Sequence, residues 1–353
     1  PEINPGELEQ PSEPLCYGDD ILIQFFTPAS GADDDVNDNT DYSYEWQVSP
    51  DGVSGWNTIQ SGDTNGLDQN TLILQDQTES LNYYQCIVTS IYCGEAHSDT
   101  TGSIYLEVLP NIETGELNTV DYDLCYNDSV ELSFSTPPSG ANEAYDEEDL
   151  QYQWYENDEL MLGETEPTYM LTNNMPAGTY IYFCEITSEN CPNLPDEPYE
   201  TAPISVTMLP QLEAGELFQM DDVCWEEDFT LSFFTPPSGA NGENDEQDYL
   251  YQWEVSTNGI DYEPITLENG PTYTNTNNNN EAGTYYYQCV VTSDYCNNIT
   301  GNSVTTPPIT VEILPEINPG ELEQPSEPLC YGDDILIQFF TPASGADDDV
   351  NDN

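Results

Sequence analysis

The segment AGTYYYQCVVTSDYC, Ala282–Cys296, decides how the rest of the chain is read. A glycine opens it, and a run of tyrosine, valine and threonine around one cysteine follows, which is the composition of a strand. The segment returns as AGTYIYFCEITSENC at Ala177–Cys191. It also returns as LNYYQCIVTSIYC at Leu81–Cys93, without the Ala-Gly entry. Recurrence at intervals of about 100 residues marks an internal repeat, and the unit that repeats is the unit that must fold.

Working outward, each copy sits late in a block with fixed punctuation. Leu109-Pro110, Leu209-Pro210 and Leu314-Pro315 separate the blocks, and each block opens with a Gly-Glu-Leu tag at Gly6, Gly115, Gly215 and Gly320. After the tag comes a cysteine and then an alternating run: Ile21–Phe26, Val130–Phe134, Phe229–Phe233. Period-two alternation gives a strand with one buried face. Thr27-Pro28-Ala29-Ser30-Gly31-Ala32 and two Thr-Pro-Pro-Ser-Gly-Ala segments stop these runs, because proline cannot stay in a ladder. An acidic loop and a Tyr-x-Trp strand follow, carrying Trp46, Trp154 and Trp253.

A tryptophan on the strand after the first hairpin, a tyrosine entering the cysteine strand and a block of about 100 residues are the marks of an immunoglobulin-type sandwich. Some seven short strands are expected per block. The expected fold class is all-β: tandem immunoglobulin-like sandwiches arranged head to tail. The expected domains are 1–109, 110–209 and 210–314, with 315–353 the start of another copy of the first. The expected core is Trp46, Trp154, Trp253, Tyr180 and Tyr285, the last two as corner tyrosines bonded to upstream backbone. Residues Pro315–Asn353 repeat Pro1–Asn39 identically. The chain therefore reads as an excerpt of a longer covalent array, with any targeting segment outside it.

The chain has no lysine or arginine, one histidine and 69 acidic residues. Nucleic acid binding needs cations to displace phosphate counterions, and anionic lipid surfaces need them for attraction, so both are excluded as partners. A Lys–Asn isopeptide crosslink is chemically impossible. High charge with low hydrophobicity is also the mark of disorder. Here 25 tyrosines and 5 tryptophans recur in register, as core residues do. No apolar run approaches the roughly 20 residues of a membrane span, so direct membrane insertion is not expected.

Ten cysteines in a chain this poor in histidine point to disulfides and an extracellular, oxidising setting. Each block has three: Cys16, Cys86, Cys93; Cys125, Cys184, Cys191; Cys224, Cys289, Cys296; and Cys330 begins another set. Three cysteines cannot all pair within a block. The first lies at one pole of its sandwich and the third at the other, roughly 40 Å apart from strand length, which is beyond disulfide reach. In a head-to-tail array the exit pole of one block meets the entry pole of the next. This gives Cys16–Cys191 and Cys125–Cys296 as staples between neighbours. The alternative is a bond within a block, of the Cys16–Cys86 or Cys86–Cys93 type, with one buried thiol.

The acidic loops offer clustered carboxylates of the kind that suit calcium. The candidate ligands are Asp33, Asp35, Asp38 and Asp41; Asp146, Glu148 and Asp149; and Glu243, Asp245 and Asp248. The first loop is no EF-hand, since Asp38 stands where that loop needs glycine. The competing reading is a solvated loop that keeps the chain soluble. No other cofactor is expected. Catalysis is not expected either, because His97 has no counterpart in the other blocks and paired carboxylates here lack a cleft.

The pre-strand cysteine with its acidic follower (Cys16-Tyr17-Gly18-Asp19), Tyr44-x-Trp46, and the strand ending Tyr84-Gln85-Cys86-Ile87-Val88-Thr89-Ser90 before Cys93 carry a resemblance. They resemble the immunoglobulin-like repeats of giant cell-surface proteins of Bacteroidetes, including gliding-motility adhesins of the SprB type. The resemblance implies export to the cell surface as part of a long filament or adhesin stalk. Its partners would be neighbouring repeats of the same chain, other fibres, surfaces or glycans. A second expectation is a carbohydrate- or surface-binding array that uses Trp56 and Tyr262 as stacking platforms.

Overall fold

The computed structural model describes all residues except 1, 32–41, 60–69, 76, 93–94, 143–147, 196–197, 242–247, 277–280, 298, 300, 325–327, 329, 333 and 346–353. Every regular element among the described residues is a strand. The chain divides into two compact units. One holds Pro1–Asp121, Glu131–Met170 and Tyr180–Val206. The other holds Tyr122–Val130, Leu171–Thr179 and Thr207–Asn353.

In the first unit, the leading block builds a five-stranded antiparallel sheet. Its order is Asn57–Thr58, Tyr42–Ser49, Ser80–Tyr92, Glu95–Thr100, and Ile104–Val108 also pairs with Ser80–Tyr92. A second sheet runs Glu7–Leu8, Ile21–Thr27, Thr71–Leu74. The alternating run does what its pattern dictates: Ile21 and Ile23 are buried while Leu22 and Gln24 face out. They pack with Trp46, Leu72, Tyr84, Cys86 and Val88 in one core. Removing each such aliphatic side chain from water stabilises the block by about 1.5–3 kcal/mol.

The second unit repeats this plan in its last full block. The tryptophan strand Tyr249–Ser256 pairs with Gly283–Ser293, which also carries Ser303–Thr305 and Ile309–Ile313. The facing strands Phe229–Leu231 and Phe233–Thr235 pair with Tyr273–Asn275 and Glu216–Leu217 respectively. Here the alternating run is split at Ser232, where it changes partner; its counterpart Ile21–Thr27 changes partner without a break. Such splits and the two-residue strands raise the tally above the expected seven. Among the described residues the first block has eight strands and the next two have nine each.

The Gly-Glu-Leu tag has a backbone cause. Gly6, Gly115, Gly215 and Gly320 all lie in the left-handed region, φ 70–81°. A Cβ on Gly6 would sit 2.3 Å from the Thr27 carbonyl oxygen, and on Gly215 2.2 Å from that of Thr235. Only glycine lets the entry strand approach the alternating strand so closely.

The three tryptophans are buried, as expected of core residues, and each lies opposite its block's middle cysteine: Trp46 with Cys86, Trp154 with Cys184, Trp253 with Cys289. Trp154 Nε1 donates to the Glu166 carbonyl at 2.9 Å, and Trp253 Nε1 to that of Gly270 at 3.0 Å. Trp46 Nε1 has no acceptor among the described residues. The expected tyrosines lie at the edge of the core, and Tyr285 packs against it. Tyr180 and Tyr285 are half-buried. The fully buried ring is the tyrosine two residues before the cysteine: Tyr84, Tyr182 and Tyr287. Both positions lie on one face of the strand, the later one nearer the cysteine that pairs with the tryptophan. The corner bond itself is made by Tyr285, whose hydroxyl donates to the Glu281 carbonyl at 2.9 Å.

Candidate functional site: the cystine junctions

The first cysteine of each block stands in a tight turn. In the first block the Cys16 N–H donates to the Asp19 carboxylate at 3.0 Å, and the Asp19 N–H returns to the Cys16 carbonyl at 3.1 Å. The preceding residue is pinned to its own closing strand by a parallel bridge, Leu15 to Val108. Leu124 to Met208 and Val223 to Ile313 repeat this in the other unit. Two residues after the cysteine the backbone turns left-handed: Gly18 at φ 83°, Asn127 at 66°, Glu226 at 61°. Glycine and asparagine suit that conformation, whereas glutamate carries a cost of about 1–2 kcal/mol.

The third cysteine is held by a different device. Five residues before each core tryptophan stands an aspartate, and Asp149 and Asp248 are buried. Asp149 accepts from the Ser188 hydroxyl at 2.8 Å, from the Asn190 N–H at 2.8 Å and Nδ2 at 2.7 Å, and from the Asn142 N–H at 3.0 Å. Ser188 Oγ in turn accepts the Cys191 N–H at 2.9 Å. In the other unit Asp248 accepts from Ser293 Oγ at 2.8 Å and the Tyr295 N–H at 2.6 Å, while Ser293 Oγ accepts from the Cys296 N–H at 3.1 Å. Burial opposes ionisation of Asp149, but the donors from Asn190, Ser188 and Asn142 outweigh it and hold the carboxyl below its usual range.

These two halves meet. Cys16 is bonded to Cys191 with Cα atoms 5.6 Å apart, and Cys125 to Cys296 at 5.9 Å. Each bond joins a first cysteine to the third cysteine of the following block, and each lies within one compact unit. Around the first, Gly18 lies against Pro195: a Cβ there would come within 2.9 Å of the proline ring. The middle cysteines are not bridged, so the within-block pairings are absent. Cys86, Cys184 and Cys289 are buried thiols, and burial pushes each up to about 12. They behave as small core hydrophobes opposite tryptophan.

Of the residues expected to hold calcium, Asp33, Asp35, Asp38, Asp41, Asp146, Glu243 and Asp245 lie outside the described residues. Asp149 and Asp248 lie inside them, and their carboxylates accept from the loop donors that position the third cysteine. Glu148 precedes the clamp and is exposed. No group of three metal-capable side chains occurs among the described residues. The proposed platforms Trp56 and Tyr262 are half-buried rather than presented to solvent. A cavity of about 1070 Å³ is lined by Leu322, Ile335, Ile337 and Phe340 with Glu321 and Glu323. Three of these repeat core residues of the first block: Leu8, Ile21 and Ile23.

Residues 214–312 match the model of a family described as a domain of unknown function, DUF8696. No curated protein is significantly similar in sequence. Among solved structures, the I-band fragment I67–I69 of titin is similar over 86% of this chain and 94% of its own, with 14% identity and a TM-score of 0.45. The three N-terminal domains of the highly immunogenic outer capsid protein of bacteriophage RB49 cover 85% and 95%, at 12% identity and a TM-score of 0.37. Immunoglobulin domains 1–4 of Sidekick-1 cover 96% and 80%, at 12% identity and 0.28. The chain is a tandem array of immunoglobulin-like sandwiches. The two disulfides among the described residues fit an oxidising, extracellular location, and among those residues no helix is long and apolar enough to cross a membrane.

Proposed function

We propose that this chain is a structural segment of a long secreted filament or adhesin stalk at a bacterial cell surface, with domains at 1–109, 110–209 and 210–314. The observation that carries the reading is the pair of disulfides, each joining successive blocks. A binding module has no need of covalent ties to its neighbours, whereas a load-bearing array gains from them. The identical segments Pro1–Asn39 and Pro315–Asn353 support continuation of the same pattern. A chain with 69 acidic side chains and no lysine or arginine repels its like, over about 8 Å at physiological salt. It also offers no cut site to trypsin-like proteases. On the resemblance of its repeats, the filament is of the kind borne by gliding Bacteroidetes.

Immunogold labelling of the producing cells with antibody to this chain tests the proposal. Gold along extended surface fibres is the expected result. Label confined to the cell interior refutes it.

A further inference from the structure

Three cysteines per block leave an odd number, and the two observed bonds resolve it. The middle cysteine is buried against tryptophan, the first bonds forward and the third bonds backward. Cys224 is a first cysteine, exposed and unbridged. We infer that Cys224 forms a third staple, with the third cysteine of the block that opens at Pro315, the counterpart of Cys93. The inference rests on the tandem-array reading and extends it to the boundary between periods.

Cys224 is presented as its bonded counterparts are. Its N–H donates to the Glu227 carboxylate at 3.2 Å, as that of Cys16 does to Asp19, and the Glu227 N–H returns to the Cys224 carbonyl at 3.1 Å. Glu226 takes the left-handed turn of Gly18 and Asn127. Val223 is bridged to the closing strand at Ile313, as Leu15 is to Val108. The other half of the bond is written in the sequence. Thr89-Ser90-Ile91-Tyr92-Cys93 has the spacing of Thr187-Ser188-Glu189-Asn190-Cys191 and Thr292-Ser293-Asp294-Tyr295-Cys296. Ser90 is buried, as are Ser188 and Ser293, which hold the N–H of Cys191 and Cys296. Residues 315–353 copy 1–39, which open the block that contains Cys93, and the inference takes that copy to continue.

The bond forms by thiol–disulfide exchange with a small disulfide such as oxidised glutathione. The Cys224 thiolate attacks one sulfur and expels one glutathione thiolate. The second cysteine's thiolate then attacks the mixed disulfide and expels the other. One protein S–S bond forms, the glutathione disulfide is reduced to two thiols, and the two cysteine protons pass to them.

The test lengthens the full chain at its C-terminus by a copy of residues 40–109, which completes the block begun at Pro315. The protein is oxidised in a glutathione buffer, alkylated, cut with pepsin and mapped by mass spectrometry without reduction. The expected product is a peptide pair joining Cys224 to the copy of Cys93, alongside Cys16–Cys191 and Cys125–Cys296. Cys224 is alkylated in the 353-residue chain and loses that label in the lengthened one. In Cys224→Ser, the copy of Cys93 becomes the alkylated residue. Alkylated Cys224 in a lengthened chain that holds the other two bonds overturns this inference and leaves the array reading standing. Absence of all three bonds overturns both.

Discussion

Reduction of the two disulfides should greatly increase the length of chain that a pulling force can extract. The loops closed by Cys16–Cys191 and Cys125–Cys296 overlap, since Cys125 lies inside the first and Cys191 inside the second. Once every block has unfolded, tension on the oxidised chain runs along residues 1–16 and crosses to Cys191. It then returns along the chain to Cys125, crosses to Cys296 and leaves along 296–353. The direct arm from 191 to 296 is longer and stays slack. About 215 of the 353 residues are thus shielded, which at 3.3–3.6 Å per residue is roughly 700–770 Å of hidden length. Single-molecule force spectroscopy with handles at both ends, with and without a phosphine reductant, measures it directly. The reduced chain and the Cys16→Ser, Cys125→Ser double variant should both release that extra length. Equal extension in oxidised and reduced chains refutes the staple argument. At equilibrium each bond contributes up to about 5 kcal/mol by restricting the unfolded chain.

The remaining expectations use simpler assays. Native labelling with iodoacetamide at pH 8 should modify Cys224 and Cys330 and spare Cys86, Cys184 and Cys289; denaturation should expose all of them. Because those three thiols are raised from 9.0 to about 12 in the folded chain, the stability they confer is complete below pH 9 and is lost as pH rises toward 12, visible as a falling melting temperature. Asp149 is held below its ordinary 3.8, so its contribution is present above pH 3.8 and disappears as pH falls through the lower folded value. Acid also relieves the repulsion among 69 carboxylates, so the informative quantity is the difference between wild type and Asp149→Asn, which should shrink below pH 3.8. Trp253→Ala should cost about 3–5 kcal/mol in chemical denaturation, through the cavity it opens. Gly18→Ala should cost at least about 1 kcal/mol, from its positive φ together with the contact at Pro195.

The sequence makes the strands legible because alternation maps directly onto burial, as Ile21 and Ile23 against Leu22 show. It makes the staples legible because a disulfide must close a distance, and only successive blocks bring the poles together. It misses the deepest core tyrosine, since Tyr285 and Tyr287 share a face and depth along a strand is not written in alternation. The recurring tyrosine two residues before each cysteine was the available signal. The aspartate clamp is also hidden. Asp149 and Asp248 sit in acidic loops and look like their neighbours, and only their fixed spacing of five residues before each tryptophan sets them apart. A carboxylate's role depends on which donors reach it. Ser188 reaches Asp149 from 39 residues away.

The two copies of the 39-residue segment separate what local sequence can do from what it cannot. In both, the tag glycine turns left-handed, and Asn4 bridges Ser30 as Asn318 bridges Ser344. In both, the tag strand pairs with the residues before Thr-Pro: Glu7–Leu8 with Ile21–Thr27, and Glu321–Leu322 with Phe339–Thr341. These contacts span about 25 residues and need nothing else. The isoleucines behave otherwise. Ile21 and Ile23 are 1% exposed, whereas Ile335 and Ile337 are 60% and 65% exposed. In the first copy the strand begins at Ile21, where it pairs with Thr71–Leu74; in the second it begins only at Phe339. Identical residues are thus strand or not according to whether a partner supplies the ladder and the core. In the first block Leu72, Leu74 and Trp46 supply that core around Ile21 and Ile23.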